Sequence, residues 1–216
     1  MDTFAVIHER RESTMRIAVY GATGMIGSRV LAEALSRGHE VTGITRSGGD
    51  LPGGAVAVRG DAGDAALTKR VAAEADVVVS AIGPSRTGGD RREFLAQLRT
   101  VVETLGDARL IVVGGAGSLV VDGTRLVDLP HFPEIYRAEA LVVAEALDYV
   151  RGLGDGVDWT FFSPPPMIQP GERTGTYQVG ADSPAGDSVS AEDFAVALID
   201  EVEKPAHRRT RFTVAN

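Results

Sequence analysis

The sequence predicts a single α/β domain built on a doubly wound, mostly parallel sheet. Three observations predict this class: short apolar runs alternate with amphipathic stretches, a glycine-rich turn follows the first apolar run, and no linker or repeat divides the 216 residues. With 44% hydrophobic residues, the chain can bury a full core. We expect the domain to span residues 15–216, with a small C-terminal portion on the substrate side, and residues 1–14 to form a poorly ordered N-terminal extension.

Strands and helices alternate along the predicted domain. The first helix ends at Gly38, which suits the left-handed C-cap, and Ser190 with Asp193 can form a capping box before the last helix. The last strand is expected at an edge of the sheet. Predicted strands cover residues 16–20, 40–45, 55–59, 76–80, 110–113, 159–162 and 211–214, and predicted helices cover residues 25–37, 64–73, 90–105, 136–151 and 191–203.

Composition excludes several functional classes. The chain has 22 Lys and Arg against 30 Asp and Glu, a net charge of -8, so nucleic acid is not an expected partner. It has no cysteine for disulfides or thiol catalysis, no apolar run near the roughly 20 residues that span a bilayer, and no histidine pair with metal-ligand spacing. We expect a cytoplasmic monomer or homodimer that binds a small molecule and no metal.

The most informative segment runs from Ile17 to Val30, where a buried strand is followed by a G-x-x-G-x-x-G pattern. Gly21 can reverse the chain at the strand end, Gly24 leaves room for phosphate oxygens, and Gly27 lets the helix pack closely on the sheet. The unpaired N–H groups at the helix start attract an anion, so the pattern predicts a Rossmann-type dinucleotide site. The predicted pyrophosphate-binding residues are Gly21, Thr23, Gly24, Met25, Ile26 and Gly27.

The loops after the next strands predict how the adenosine half is held. Arg46 and Ser47 follow the second strand, where NAD-specific proteins usually carry a carboxylate, and an arginine can instead meet the 2′-phosphate of NADP. The alternative is an exposed loop arginine. Asp61 can accept a bond from the adenine amino group, or cap a helix, a role that suits Asp64 better. The predicted cofactor-binding residues after the fourth strand are Ala81, Ile82 and Gly83.

With these loops in place, the chain resembles the atypical short-chain dehydrogenase/reductase superfamily, in particular the compact NAD(P)H-binding proteins related to flavin reductases, biliverdin reductase B and the NmrA-like group. The resemblance covers nearly all of residues 16–216. It implies a nicotinamide near Gly114, Gly115, Ser163 and Pro164. The segments that carry it are GATGMIGSRV (21–30), GD (60–61), VVVSAIG (77–83), VVGGAGSL (112–119), SPPPMIQPGERTG (163–175) and SAEDFAVALIDEVE (190–203).

The catalytic residues of the broader superfamily are matched only in part. Competent members use a tyrosine followed four residues later by lysine, whose ammonium lowers the pKa of the phenol. Here Tyr136 opens the corresponding helix, but the residue four later is Ala140. Ser118 is the first hydroxyl after the fifth strand. We predict Tyr136 and Ser118 as candidate catalytic residues, with a structural or substrate-lining role as the alternative for Tyr136.

The missing lysine favours hydride transfer to a conjugated ring over carbonyl reduction, because solvent can protonate such a ring. We expect an NADPH-dependent oxidoreductase that reduces a small flavin- or quinone-type acceptor, with His131 and Arg173 as further candidate polar contacts. Two alternatives stay open. One is a non-catalytic NADP(H)-binding sensor of the NmrA-like type, and the other is a biosynthetic epimerase, dehydratase or isomerase with a non-standard acid.

Overall fold

A computed structural model describes residues 14–48, 51–85 and 88–216, so the predicted N-terminal extension lies outside the described residues except for Thr14. The strands in these ranges are β1 Arg16–Tyr20, β2 Glu40–Thr45, β3 Val56–Arg59, β4 Val77–Ser80, β5 Arg109–Val113, β6 Val120–Val121, β7 Thr124–Arg125, β8 Trp159–Ser163, β9 Met167–Gln169, β10 Gln178–Gly180, β11 Ser188–Ser190 and β12 Thr210–Ala215. The α-helices are α1 Met25–Ser36, α2 Ala65–Ala73, α3 Glu93–Thr104, α4 Glu134–Arg151 and α5 Ala191–Glu203.

Eight strands form the central sheet in the order β10-β12-β8-β5-β4-β1-β2-β3. All neighbouring pairs are parallel except β10 and β12. The chain winds outward from β1 in both directions, so the loops after β1 and β4 flank the point where the winding reverses. The doubly wound, mostly parallel sheet predicted from the sequence is confirmed.

Helices cover both faces of the sheet, as strands buried on both sides require. Helices α1 and α5 cover one face, where Phe162 is stacked between Phe194 and Phe212 with ring centroids 3.9 and 4.1 Å away. Helices α2, α3 and α4 cover the other face, which buries Trp159 and Phe161. Neighbouring residues of β8 therefore belong to opposite cores, the alternation expected of a central strand.

Each predicted strand and helix matches the structure to within three residues at each end. The prediction that the last strand lies at an edge of the sheet is wrong. Strand β12 lies inside the sheet, between β8 and β10, and the antiparallel β10 forms the edge. The sequence analysis missed β10 because it has three residues, of which Val179 is half exposed. A strand this short and exposed has no apolar run to predict it.

A strap of residues 170–177 crosses the outer surface of α1 and α5. The backbone N–H groups of Thr174 and Gly175 donate to the carboxylate of Asp193 at 2.8 and 2.7 Å, and Asp193 is fully buried. Only one of the two hydrogen bonds of the predicted capping box is formed. The N–H of Asp193 donates to Ser190 Oγ at 3.0 Å, whereas the Asp193 carboxylate is turned toward the strap.

The strap is also tied to α1. Arg173 donates two hydrogen bonds to the buried carboxylate of Glu33, each 2.8 Å long, and Arg37 donates to the same carboxylate. The bonds from Arg173, opposed by burial and reinforced by Arg37, lower the pKa of Glu33. At the end of the strap, Tyr177 donates its hydroxyl to Asp200 of α5. The strap therefore joins the two helices that cover this face of the sheet.

Candidate functional site

The glycine-rich turn joins β1 to α1 at the carboxyl edge of the sheet. Gly21 has a φ of 76°, and a Cβ at this position would lie 2.6 Å from the carbonyl oxygen of Ala81 in the loop after β4. A Cβ on Gly27 would lie 2.1 Å from the carbonyl oxygen of Gly21. Both positions therefore require glycine, because any side chain would push the turn away from the helix or from the neighbouring loop.

Helix α1 begins in this turn without a side-chain cap. Its N-cap is Gly24 in extended conformation, and its first turn carries no acidic residue. The first N–H groups of a helix have no acceptor within the helix, so Met25 and Ile26 can offer theirs to a phosphate. Thr23 is exposed beside them. The turn brings the predicted pyrophosphate-binding residues together, and their contact with a cofactor stays a prediction.

Arg46 and Ser47 lie after β2 and are exposed. Within the described residues Arg46 has no ion pair, and Ser47 Oγ donates only to the neighbouring carbonyl of Gly48. Beside them lies Arg59, which the sequence analysis missed. It is the last residue of β3 and the register partner of Thr45, and a Cβ on Gly48 would lie 3.5 Å from its Cδ. Aligning the ends of the two predicted strands would have identified this neighbour.

Asp61 follows β3 and is already partly engaged. Its carboxylate accepts the N–H of Gly63 at 2.8 Å and the side-chain amide of Gln97 at 3.2 Å. The helix cap is Asp64, as predicted, since its side chain accepts the N–H groups of the first turn of α2. Asp61 therefore does not cap the helix, and its carboxylate can accept further bonds besides those from Gly63 and Gln97. Its contact with adenine stays a prediction.

The loop after β4 offers accessible backbone. Ala81 and Ile82 are half-buried and Gly83 is exposed, and a Cβ on Gly83 would meet nothing within 4 Å. At the carboxyl ends of the strands, the hydroxyls of Thr45, Ser80 and Ser163 are buried and lack hydrogen-bond partners. Native proteins seldom leave buried hydroxyls unpaired, so these ends are the places where a bound ligand can supply partners. The residues present therefore fit a dinucleotide.

The predicted nicotinamide loop, residues 114–118, is packed between β8 and α4. The Gly114 N–H donates to a β8 carbonyl at 2.8 Å, and a Cβ there would lie 2.1 Å from the Phe161 ring. A Cβ on Gly117 would lie 2.7 Å from Cβ of Ala140. Ala140 occupies the position that lysine has in the tyrosine–lysine pair. Its side chain faces loop backbone, which leaves little room for a longer side chain.

Ser118 and Tyr136 share no hydrogen bond in the part of the chain that the structure describes. The Ser118 hydroxyl is buried and accepts a hydrogen bond from Arg211 of β12 at 3.3 Å. Burial, opposed by the ion pair with Asp182, lowers the pKa of Arg211. Ser118 and Arg211 line a pocket of about 180 Å³ between α4 and β12. The Ser118 hydroxyl is thus engaged by Arg211 at this pocket, and its catalytic role stays a prediction.

The remaining predicted site residues have different surroundings. Ser163, the last residue of β8, and Pro164, which follows it, are buried. Tyr136 is in the first turn of α4 and is 59% exposed, with no bond to its hydroxyl among the described residues. His131 is exposed. Arg173 is contradicted as an acceptor contact, because it pairs with Glu33 in the third turn of α1, and a helix rises about 1.5 Å per residue away from the edge.

Neither a metal-binding cluster nor a membrane-spanning helix is present in the part of the chain that the structure describes. No group of three or more His, Cys, Asp or Glu residues there could hold a metal ion. No described helix is long and apolar enough to cross a membrane.

The parallel sheet, the glycine turn and the uncapped start of α1 define a dinucleotide-binding protein of the atypical short-chain dehydrogenase/reductase group. A family model described as NAD(P)H-binding matches residues 21–205. The chain belongs to this NAD(P)H-binding family, and its cofactor is a nicotinamide dinucleotide.

Known relatives match over nearly the whole chain. YwnB of Bacillus subtilis strain 168 is 40% identical over 214 residues, which cover 94% of this chain and 99% of YwnB. A Burkholderia pseudomallei structure, provisionally named an exported protein, has 40% identity and a TM-score of 0.83, with 94% of this chain and all of that chain covered. A Streptococcus pneumoniae TIGR4 structure, provisionally named an NADH-flavin reductase, has 33% identity and a TM-score of 0.82, with coverage of 94% and 99%.

Proposed function

We propose that this protein is an NADPH-dependent oxidoreductase that transfers a hydride to a small conjugated acceptor of the flavin or quinone type. The NAD(P)H-binding family and the provisional name of the S. pneumoniae relative support the class of reaction. The single observation that carries the proposal is the open carboxyl edge around the start of α1. Backbone N–H groups, glycine surfaces and unpaired hydroxyls meet there.

Different residues at the carboxyl edge would bind different parts of the dinucleotide. The turn from Gly21 to Gly27 would hold the pyrophosphate, Arg46 and Ser47 the 2′-phosphate, and residues 81–83 the adenosine side. Gly114, Gly115, Ser163 and Pro164 would hold the nicotinamide. When bound, the reduced nicotinamide supplies the hydride.

The chain's own contribution to the reaction is binding and orientation. Tyr136 has Ala140 where the superfamily has lysine, so the ammonium group that assists the superfamily's tyrosine is missing from that position. A carbonyl substrate would need a proton donor at its developing alkoxide, whereas a conjugated acceptor spreads its charge and is protonated by solvent. The proposed acceptor is therefore one whose reduction requires close approach to the nicotinamide rather than general acid catalysis.

The decisive experiment is anaerobic single-turnover mixing. The purified protein with NADPH is mixed with riboflavin, FMN or a simple quinone, and the loss of reduced-nicotinamide absorbance is followed. The control is the same mixture without protein. We expect loss faster than the control with at least one acceptor. Tight NADPH binding with no loss would contradict the reductase and favour a cofactor-binding sensor, the function that the missing lysine supports next. Product formed with NADP unchanged in amount would favour an epimerase or isomerase.

Cofactor preference is tested by Arg46→Ala. We expect NADPH binding to weaken by about 1 to 3 kcal/mol, the scale of a charge-assisted hydrogen bond, with NADH binding nearly unchanged. Calorimetric titration with both cofactors measures this. Equal losses for NADPH and NADH would contradict the 2′-phosphate role.

The cytoplasmic location, and a monomeric or homodimeric state, stay predictions from the sequence.

A further inference from the structure

Two arginines that have no carboxylate partner among the described residues lie side by side at the carboxyl edge of the sheet. Arg46 follows the last residue of β2, and Arg59 is the last residue of β3. Thr45 and Arg59 are register partners, and neighbouring strands lie about 4.8 Å apart. The N–H of Gly60 donates to the carbonyl of Thr45 at 2.9 Å and closes the two strand ends together. The bases of both arginine side chains are therefore held by one rigid pair of strands.

The Arg59 side chain lies along the loop that carries Arg46. A Cβ on Gly48 would lie 3.5 to 3.7 Å from the Cβ, Cγ and Cδ atoms of Arg59. Gly48 has a φ of 72°, which bends the loop after Arg46 back over β3. The aliphatic stem of Arg59 is thereby packed on backbone, while the residue remains exposed. A guanidinium on such a stem is partly preorganised for a ligand at the loop.

Protein carboxylates in the described residues do not neutralise the charge of the pair. Within the described residues, neither arginine has an ion pair. Asp61, the carboxylate nearest to Arg59 in sequence, is bonded to Gly63 and Gln97 instead. On the same strand pair, the Thr45 hydroxyl is buried without a partner. In a chain of net charge -8, two neighbouring arginines that have no ion pair in the described residues form a local positive patch that attracts anions.

We propose that Arg59 is a second specificity-determining residue, which with Arg46 forms a two-arginine clamp for a phosphomonoester dianion, the 2′-phosphate of NADP. This rests on the proposed function, because it assigns the 2′-phosphate to the same edge. A phosphomonoester carries about 1.5 to 2 negative charges at neutral pH and has three acceptor oxygens, enough to engage two guanidinium groups. One arginine at this position would leave much of that charge uncompensated.

The clamp is tested by measuring nucleotide binding, which requires no catalytic turnover. Adenosine 2′,5′-bisphosphate and 5′-AMP are titrated calorimetrically into the wild type, Arg59→Ala, Arg46→Ala and the control Arg70→Ala. Arg70 is an exposed arginine in the last turn of α2 without an ion pair in the described residues, and so matches the change in net charge. We expect Arg59→Ala to weaken the bisphosphate about fivefold or more and leave 5′-AMP within about twofold. The Arg70 variant should change neither.

The outcomes separate this inference from the proposed function. If Arg59→Ala matches Arg70→Ala while Arg46→Ala weakens only the bisphosphate, the clamp is overturned and the NADPH preference stands. If the wild type binds both nucleotides equally and no variant changes either, both the clamp and the NADPH preference are overturned. If Arg59→Ala weakens both nucleotides equally, Arg59 acts on the shared adenosine 5′-phosphate part, and the clamp is again overturned. Thermal unfolding of each variant confirms that the titrated protein is folded.

Discussion

The carboxyl edge of the sheet and the strap over α1 and α5 use polar residues in opposite ways. In the strap, the Arg173 side chain, the Thr174 N–H and the Tyr177 hydroxyl each donate to a carboxylate on one of the two helices. At the carboxyl edge, Arg46 and Arg59 have no ion pair among the described residues, and buried hydroxyls lack partners. Groups whose hydrogen bonds are satisfied hold the fold together, whereas the groups without partners lie where we propose that the cofactor binds.

The largest expected effect falls on the region whose hydrogen bonds are satisfied, with Asp193→Ala. Its carboxylate accepts from Thr174, Gly175 and Asn216 and is fully buried. Its loss leaves several donors unpaired, so we expect the free energy of unfolding to fall by about 3 kcal/mol. Urea denaturation measures this, with Asp155→Ala, whose side chain is fully exposed, as the control. A loss equal to that of the control would show that the strap is not held as described.

Introducing lysine at position 140 tests whether restoring the tyrosine–lysine pair is enough to make this site reduce carbonyl compounds. We expect Ala140→Lys to lower the free energy of unfolding by about 1 to 3 kcal/mol and to yield no carbonyl reduction, because the Ala140 Cβ faces Gly117. Leu141→Lys, at a residue that is 38% exposed, is the matched control and should be nearly neutral. Denaturation and an NADPH assay with a simple ketone are the measurements. New ketone reduction in the Ala140 variant alone would contradict the proposed choice of acceptor.

The contact between the strap and Glu33 should make the free energy of unfolding depend on pH. The pKa of Glu33 is lowered from 4.5 in the folded protein, so its ionised form stabilises the fold above that pH and the contribution is lost as the pH falls through the folded-state value. We expect Glu33→Gln to cost about 2 kcal/mol at pH 7 and progressively less below about pH 4.5. Denaturation at several pH values tests this. A cost independent of pH, or one matched by Glu134→Gln at an 85% exposed side chain, would contradict it.

The smallest effect is expected at Tyr136. The side chain is 59% exposed and its hydroxyl has no bond in the described residues, so Tyr136→Phe should change kcat/KM for a flavin or quinone by less than about twofold. Steady-state rates with NADPH measure the change. A loss of tenfold or more would assign the proton donor to Tyr136 and remove the distinction between this site and that of carbonyl reductases.

Sequence periodicity predicted the sheet and the pyrophosphate turn because both depend on local patterns. Glycines at 21, 24 and 27 follow an apolar strand, and each requirement is visible within ten residues. The roles of Ser118 and Arg173 were harder to predict, since their partners, Arg211 and Glu33, lie 93 and 140 residues away along the chain. Residue type alone does not say which distant charge a side chain will meet.

By itself, then, the sequence determined the alternation of strands and helices, the reversal of the chain at Gly21 and the absence of a lysine after Tyr136, because each is a property of neighbouring residues. Only the tertiary structure decided that β12 is an inner strand, that the Asp193 carboxylate binds the strap, and that the stem of Arg59 packs against Gly48. The physical reason is that strand order and register set which residues meet. These depend on packing of the whole sheet rather than on local propensity.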